Sequence, residues 1–277
     1  MEKTQKSVMI AVSHGLYDPW LDILHNGQVK TWLQDPLPQN VGILHFHGTP
    51  VNRFLQKLDK FHERVRWSGV MRARILRLVD RVLGFLLINY IPPYETSKLL
   101  AVEPENLVVH IKFPDTYVTY RWKELGLFEY FLNQTDYDYL FLTSTASYVN
   151  VPNLVSFIDN QSNAGVYTGA HPYPEASFIS GACRLLSRDV VQFVVDNRHK
   201  FDVAVIEDMA LGDLIRSGGF TPAFLPPSNL TSIEDINLLR RDELLNKFHF
   251  RLKSFSGTKR NDVALMLALH SRVKGDK

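Results

Sequence analysis

The chain lacks the residues and segments that mark several large classes of protein. It has one cysteine, Cys183, in 277 residues, which excludes an internal disulfide and indicates a reducing compartment. No apolar run is long enough to span a bilayer, and the first apolar run is too short for a signal peptide. A formal charge of +2 gives no overall attraction to nucleic acid. We therefore expect a cytoplasmic protein without a nucleic-acid partner.

Three common catalytic motifs are also missing. The sequence contains no G-x-x-x-x-G-K-[ST], no G-x-S-x-G and no H-E-x-x-H, so the P-loop, α/β-hydrolase and zincin interpretations lack their motifs. Cys183 has no histidine or second cysteine at metal-binding or redox spacing, and we expect it in the core. The composition, 45% hydrophobic and 22% charged, is typical of a globular protein.

Strand and helix signals alternate along most of the chain. Short apolar segments predict strands at Ser7–Val12, Val41–Phe46, Leu107–Ile111, Tyr139–Leu142 and Gly165–Gly169. Helix patterns predict helices at Trp20–Trp32, Thr119–Leu132, Pro152–Asp159, Arg188–Val195 with Ser187 as N-cap, and Glu207–Gly218. This alternation predicts one α/β domain, with a central, mostly parallel mixed sheet flanked by helices.

The segment Phe61–Ile91 interrupts this alternation and is predicted to be a basic amphipathic helical insertion. A helix places Arg74, Arg77 and Arg81 on one face, with an apolar stripe of Leu78, Val82 and Phe85 beside it. Such a helix could lie on the inner face of an anionic membrane through the region Arg64–Arg81. The alternative is an internal helix whose apolar stripe packs on the core and whose arginines face solvent.

Four segments occur in an order known from one enzyme family. They are D-T-Y at 115–117 followed by Lys123, Y-V-N-V-P-N-L at 148–154, S-G-A at 180–182 followed by L-S-R-D at 186–189, and E-D-M-A-L-G at 207–212. Together they resemble the Fringe and β-1,3-galactosyltransferase family, which are inverting glycosyltransferases of the GT-A fold. The N-terminal part matches only in its alternation of strands and helices. The resemblance implies a GT-A-type, Rossmann-like domain.

The acidic pair Glu207-Asp208 is the candidate catalytic site. Taken alone, two acids at a helix N-terminus are explained by the helix dipole and the unpaired backbone N–H groups. In the family, the second acid of the matching motif is the catalytic base, and this role carries over to Asp208. A sugar hydroxyl must lose its proton as it attacks the anomeric carbon. Glu207 is expected to orient the site or hold the acceptor.

The family's metal-binding acids are missing. Ser144, Thr145 and Ala146 occupy the place of a D-x-D triplet that binds a divalent cation, and hydroxyls are poor replacements for carboxylates. Asp136 and Asp138 form a D-x-D before the strand rather than after it, and we interpret them as a solvated loop. A tightly bound metal is therefore not expected, and Ser144 and Thr145 are left as candidates to line the donor site.

A basic segment is a candidate replacement for the cation. Phe248–Lys253 alternates apolar and basic residues, so a strand would carry His249, Arg251 and Lys253 on one face. We expect this face to clamp the donor diphosphate. A solvent-facing basic strand edge is the alternative. The family also has a metal-ligating histidine at a similar distance beyond its E-D-V motif, and His249 could be its counterpart.

Other site candidates come from position in the fold or from the resemblance. Ser13, His14 and Gly15 follow the first strand, where α/β sheets bind ligands, and are expected to line the nucleotide pocket. The donor-pocket candidates by resemblance are Asp115 and Lys123. Ser180, Gly181 and Ala182 are expected to form a tight turn near the sugar or acceptor, and His171 is a candidate acceptor contact.

These features predict an inverting glycosyltransferase. It would transfer a sugar from a nucleotide diphosphate donor, expected to be UDP-linked, to a glycan or lipid-linked acceptor hydroxyl. One alternative is a non-catalytic module of the same fold that binds a nucleotide-sugar or glycan. Another is a metal-dependent transferase with a weak site made from Asp208 and His249.

Overall fold

Strand β1 (Val8–Ser13) lies in the interior of an eight-stranded sheet, between two parallel neighbours. The computed structural model describes residues 5–67, 71–99, 106–173, 175–256 and 259–275. The other strands of the sheet are β2 (Val41–Thr49), β3 (Tyr94–Leu99), β4 (Asn106–Pro114), β5 (Tyr139–Ser144), β7 (Tyr167–Ala170), β8 (Cys183–Ser187) and β9 (Ala223–Leu225). Their order is β3-β4-β2-β1-β5-β8-β7-β9.

Four pairings in this described sheet are parallel and three are antiparallel. Alternate residues of β1 contribute to separate apolar clusters, with Val8, Ile10 and Val12 in one and Met9 and Ala11 in the other. The sheet is therefore covered on both faces, as expected for a parallel centre. The α/β class with a mostly parallel mixed sheet is confirmed.

Helices connect and cover the strands. They are α1 (Trp20–Asp22), α2 (Arg53–Trp67), α3 (Met71–Leu87), α4 (Tyr120–Gln134), α5 (Val151–Asp159), α6 (Arg188–Asp196), α7 (Glu207–Ser217), α8 (Ile233–Leu238), α9 (Arg241–Asn246) and α10 (Asp262–Lys274). The predictions for α4 to α7 are confirmed within two residues at each end. Ser187 precedes α6 but does not cap it with its side chain. Its hydroxyl bonds Asp189 and the backbone N–H of Val166 instead.

The predicted continuous α-helix Trp20–Trp32 is wrong, because the segment is divided among three types of helical turn. After the short α1, residues Ile23–Gln28 form a π-helix, and a 3₁₀ turn follows at Trp32–Gln34. The wider turn directs the buried Gln28 inward, where its Nε2 donates to the carbonyls of Ser144 and Ser147 at 3.1 Å each. A periodic apolar pattern does not distinguish these windings, because tertiary hydrogen bonds select between them.

Three strands of the sheet, β3, β8 and β9, were not predicted from the sequence. β8 has five residues and contains the charged Arg184, which interrupts the apolar pattern that predicts a buried strand. β3 is an edge strand whose side chains are mostly exposed, and its sequence Y-E-T-S-K-L carries no apolar signal. In β3 and β8, backbone pairing outweighs the side-chain pattern. β9 has only three residues, too few for a recognisable pattern.

A second sheet contains the basic segment. It has the order β10-β11-β6, formed by β10 (Asn229–Leu230), β11 (His249–Leu252) and β6 (Ser147–Val149). Strand β11 is paired on both sides, parallel with β10 and antiparallel with β6. The alternative of a basic strand edge is therefore wrong. A further pair, β12 (Phe255–Ser256) and β13 (Lys259–Arg260), follows in the chain.

The basic insertion is a helical hairpin of α2 and α3, and it begins at Arg53 rather than Phe61. The apolar stripe of Leu78, Val82 and Phe85 is exposed, so its expected packing on the core is wrong. Asp80 and Gly84 lie on the buried side of α3 instead. The side chains of Arg64, Arg66 and Arg72 lie outside the described part of the chain. Across the described residues, we find no helix with the length and apolarity that a membrane crossing requires.

Candidate functional site

The carboxyl ends of the central strands β1 and β5 meet the amino end of the antiparallel strand β8. β1 ends at Ser13 and β5 at Ser144, which are register partners. β8 runs the other way, so Cys183 and Arg184 enter at the same end, opposite Thr143 and Leu142. In open α/β sheets, ligands bind at the carboxyl ends of the parallel strands.

Arg184 is fully buried and contacts three carboxylates from two helices. Its Nη1 lies 3.1 Å from Glu124 Oε2 on α4 and 3.2 Å from Glu207 Oε1 on α7. Its Nη2 is paired with Asp208 Oδ1. A buried guanidinium needs such partners, because an unpaired charge inside a protein is strongly unfavourable. Arg184 therefore fixes the start of α7 against α4.

The cluster has one cation for three acids, and two of these acids, Glu207 and Asp208, have raised pKa values. Burial raises the pKa of Glu207, and the neighbouring Glu124 raises it further. Burial also raises the pKa of Asp208, with a second contribution from Glu207, although Arg184 opposes the shift. Carboxyl groups with raised pKa values can exchange protons near neutral pH, which is the property required of a general acid or base.

Asp208 is the most accessible member of this cluster. Its side chain is 26% exposed, compared with 0% for Arg184 and 10% for Glu207. The backbone N–H of Gly181 donates to Oδ1 of Asp208 at 3.1 Å. Gly181 permits this approach, because a Cβ there would lie 2.9 Å from the same oxygen. The arrangement holds a partly exposed carboxylate in a fixed orientation.

Asp115 and Lys123 form a separate ion pair beside the cluster. Lys123 Nζ lies 2.8 Å from Asp115 Oδ1, and its side chain is only 4% exposed. The ammonium group also lies over the ring of Tyr120 at 4.5 Å. Lys123 is thus committed to internal contacts, which leaves Asp115 as the more accessible member of the pair. Tyr120 interacts electrostatically with Glu124, Glu207 and Arg184, and so connects the pair to the Arg184 cluster.

His14 is buried among other histidines and not in an open pocket. Its ring packs edge-on against His45 at 5.7 Å and against His47 at 5.1 Å. Neither ring nitrogen of His14 or of His45 has a hydrogen-bond partner among the described residues. Burial lowers the pKa of His14 and of His47 and lowers that of His45 to about 3. We assign these rings to the interior behind the site.

Gly15 leads into an open cleft of about 920 Å³. A Cβ on Gly15 would touch the rings of Trp20 and Tyr17, which line the cleft. Lys60 and Arg260 bring cations to the cleft, and Asp18 and Asp22 bring carboxylates. Arg260 lies over the Trp20 ring at 5.3 Å. Aromatic faces beside cations suit a ligand with a planar base and a phosphate group.

The three members of the expected basic clamp differ in their surroundings: His249 and Arg251 line one small cavity, whereas Lys253 faces solvent. Arg251 lies nearest the acidic cluster, where it interacts electrostatically with Asp208 and with Arg260 of the cleft. His249 is buried, with Nε2 3.1 Å from Ser147 Oγ, and burial lowers its pKa to about 3. Lys253 follows the end of β11 and its side chain is exposed. Arg251 is therefore the member placed to bind a phosphate beside Asp208.

The turn at Ser180 and the loop at His171 border Arg251. Arg251 Nη1 is 3.5 Å from Ser180 Oγ. Ser180, His171 and Arg251 line a small cavity of about 30 Å³. The His171 ring packs edge-on against Phe224 at 3.8 Å. The structure thus brings these candidates together on one side of Asp208.

The loop at Ser144–Ala146 does not fit a divalent cation. Thr145 and Ala146 are buried, and Ser144 Oγ is 3.3 Å from Ser147 Oγ. Among the described residues, no group of three or more His, Cys, Asp or Glu side chains is arranged to hold a metal ion. Asp138 directly precedes β5 and accepts hydrogen bonds from Ser7, so it lies at the amino end of the strands, away from the site. The loop therefore offers hydroxyl and backbone amide groups but no carboxylates, and the side chain of Gln28 holds it in place.

Sequence reasoning missed several contributors to this site. Arg184 carried a usable signal, because an arginine inside the apolar segment C-R-L-L requires a carboxylate partner. Glu124, Tyr120 and Arg260 carried none, since each is an ordinary surface-type residue whose role depends on distant neighbours. Comparison with models of known protein families and with curated proteins gives no match.

Proposed function

We propose that the protein is an inverting glycosyltransferase that uses a nucleotide diphosphate sugar, with Asp208 as the general base. The observation that carries the proposal is the setting of Asp208. It is a partly exposed carboxylate, held by Arg184 and Gly181, at the edge of an α/β sheet where ligands bind. The resemblance of the four ordered segments to the Fringe and β-1,3-galactosyltransferase family supports the same role.

The reaction follows from the position of this base. Asp208 accepts the proton of the acceptor hydroxyl as that oxygen forms a bond to the anomeric carbon. The bond from the anomeric carbon to the diphosphate oxygen breaks on the opposite side, and its electron pair leaves with the nucleotide diphosphate. One displacement inverts the anomeric configuration. Arg184 fixes the orientation of the carboxylate, and the pKa of Asp208, raised by burial, favours proton uptake.

The donor fits the cleft that Gly15 opens onto. Tyr17 and Trp20 offer aromatic faces for a base, and Arg260 and Lys60 offer charge for the phosphates. Arg251 interacts electrostatically both with Arg260 of this cleft and with Asp208. We assign the stabilisation of the leaving diphosphate to Arg251 and Arg260. The Ser144–Ala146 loop offers no carboxylate to hold a cation at the diphosphate.

The test compares two aspartates of α7. Asp208→Asn keeps the shape of the side chain but removes the base, and it should abolish sugar transfer while donor binding stays near the wild-type value. Asp213→Asn is the matched control, because Asp213 is exposed on the same helix and is paired with the exposed Arg216. Nucleotide release is measured against a panel of donors and acceptors. An Asp208→Asn protein that turns over at the rate of the control would refute the role.

A second candidate is a donor-binding module without catalysis. The internal pairing of Asp208 with Arg184 favours it, because a committed carboxylate serves structure as well as chemistry. Such a module binds the nucleotide-sugar donor but releases no free nucleotide when an acceptor is supplied. The metal-dependent alternative, with Asp208 and His249, is separated by chelation. Activity lost in EDTA and restored by manganese would support that alternative.

A further inference from the structure

Helix α3 of the insertion exposes a broad apolar face. Ile75, Leu78, Val82, Phe85 and Leu86 project from one side of the helix, and the exposed fraction reaches 77% for Phe85 and 71% for Leu86. Helix α2 adds a second exposed stripe with Phe54, Leu58 and Phe61. Single exposed apolar residues are common on proteins, but a contiguous face of this kind marks an interaction surface.

Cations border this face. Arg74 and Arg81 are exposed, and at 100° per residue they project beside Phe85 and Leu78 along one edge of the face. Over residues 53–87 the sequence has nine arginines and lysines against three acids, a formal charge of +6, whereas the whole chain carries +2. The remainder of the chain is thus net acidic. The positive charge is concentrated on the element that exposes the apolar surface.

The hairpin is held firmly to the rest of the protein. The carboxylate of Asp59 on α2 accepts the backbone N–H of Tyr117 at 2.7 Å. His62 of α2 is 3.1 Å from Asp80 of α3, which ties the two helices together. Gly84 packs so closely on Val203 that a Cβ would lie 2.4 Å away. These contacts fix α3 with its polar and glycine side inward and its apolar side outward.

We propose that the α2–α3 hairpin is a docking surface for an anionic lipid bilayer. The apolar face of α3 enters the boundary between headgroups and acyl chains, and the bordering arginines contact lipid phosphates. Charge favours this occupant over a second copy of the chain. Two hairpins of +6 would repel each other across a dimer interface, whereas an anionic leaflet attracts them.

Docking here would place the candidate donor cleft near the lipid surface, because α2 contributes Lys60 to that cleft. This consequence rests on the proposed function and would suit a lipid-linked acceptor. The docking itself does not depend on catalysis. It is therefore measured without donor or acceptor, so that its failure and the failure of the glycosyltransferase proposal are distinguishable.

The experiment is co-sedimentation of the full chain with vesicles. One set is pure phosphatidylcholine and the other is phosphatidylcholine mixed with phosphatidylglycerol. The test variant is Leu78→Asp with Phe85→Asp, and the control is Leu238→Asp, an exposed leucine on α8. Arg74→Glu with Arg81→Glu tests the charge. Melting temperatures verify that each variant is folded, since all these positions are exposed.

We expect binding to the anionic vesicles, weaker binding to the neutral ones, and release at high salt. The Asp double variant should reduce partitioning at least about tenfold, the Glu double variant should reduce it on anionic vesicles alone, and Leu238→Asp should leave it unchanged. The proposal is overturned if the wild-type protein stays in the supernatant with both vesicle types, or if the Asp double variant binds as well as the control. A dimer in sedimentation velocity that the Asp double variant abolishes, without vesicle binding, would assign the face to a second copy.

Discussion

Arg184 and Asp208 are bound to each other across the junction of β8 and α7, through Nη2 and Oδ1. The N–H of Gly181 donates to the same oxygen at 3.1 Å. One carboxylate oxygen is therefore anchored by two donors, and the side chain keeps part of its surface in contact with solvent. A base held in this way loses little orientational freedom when it acts.

Replacing Gly181 by alanine should displace this base. The new Cβ would lie 2.9 Å from Asp208 Oδ1, closer than real Cβ contacts, and 3.3 Å from Arg184 Nη2, which is tight. Gly181 is not among the glycines with positive φ, so alanine is compatible with its backbone. We expect turnover to fall about a hundredfold, while donor affinity and thermal stability change little. Steady-state kinetics with donor titration separates these quantities, and wild-type turnover would contradict the expectation.

Removing the Arg184 guanidinium should destabilise the fold. Arg184→Met leaves Glu124, Glu207 and Asp208 packed together without a cation, and we expect a loss of about 3–5 kcal/mol in unfolding free energy. Urea denaturation measures it. The matched control is Arg216→Met, which breaks the exposed pair with Asp213 and should cost less than about 1 kcal/mol. Similar losses in the two variants would mean that the buried cluster adds nothing special to stability.

Arg251 and Lys253 should differ in their effect on donor binding. They lie two residues apart on the same basic segment, but only Arg251 is near Asp208 and Arg260. Arg251→Ala should weaken UDP binding about tenfold to a hundredfold, because a charge-assisted phosphate contact is lost. Lys253→Ala should stay within about twofold, as expected of an exposed cation. Isothermal titration provides both values, and equal effects would remove Arg251 from the diphosphate site.

The buried imidazole of His45 should make the protein sensitive to acid. Burial lowers its pKa to about 3 in the folded state, whereas the unfolded chain takes up a proton near pH 6.5. Stability from this residue is therefore complete above pH 6.5 and is lost as the pH falls below it, by about 1.4 kcal/mol per pH unit.

His45→Leu should remove this loss. The ring nitrogens of His45 have no hydrogen-bond partner in the described chain, so leucine should be tolerated at pH 7.5. At pH 5.5 the variant should gain about 1.4 kcal/mol relative to the wild type. Urea unfolding of both proteins at the two pH values measures this change in unfolding free energy. The opposite pH dependence of Glu207 and Asp208 is present in both proteins and cancels in the comparison. The exposed His199→Leu is the control, and a parallel pH profile for wild type and His45→Leu would contradict the prediction.

Local patterns in the sequence determined the strand and helix framework of this protein. The apolar segments that become β1, β2, β4, β5 and β7 are long enough to be recognised, because strands buried on both faces must be apolar along their whole length. The position of Glu207 and Asp208 at the start of α7 was likewise readable, since helix N-termini favour acids. These signals extend over a few residues, so they can be recognised without knowing which distant residues each segment contacts.

The tertiary structure alone decided which of these residues form the site and which surface remains exposed. It paired Arg184 with carboxylates from two helices, buried His249 while leaving Arg251 beside Asp208, and turned the apolar stripe of α3 towards solvent. None of these outcomes is encoded in local periodicity. Each depends on contacts between residues far apart in the chain, and buried charge or exposed apolar area acquires its energy only when those neighbours are in place.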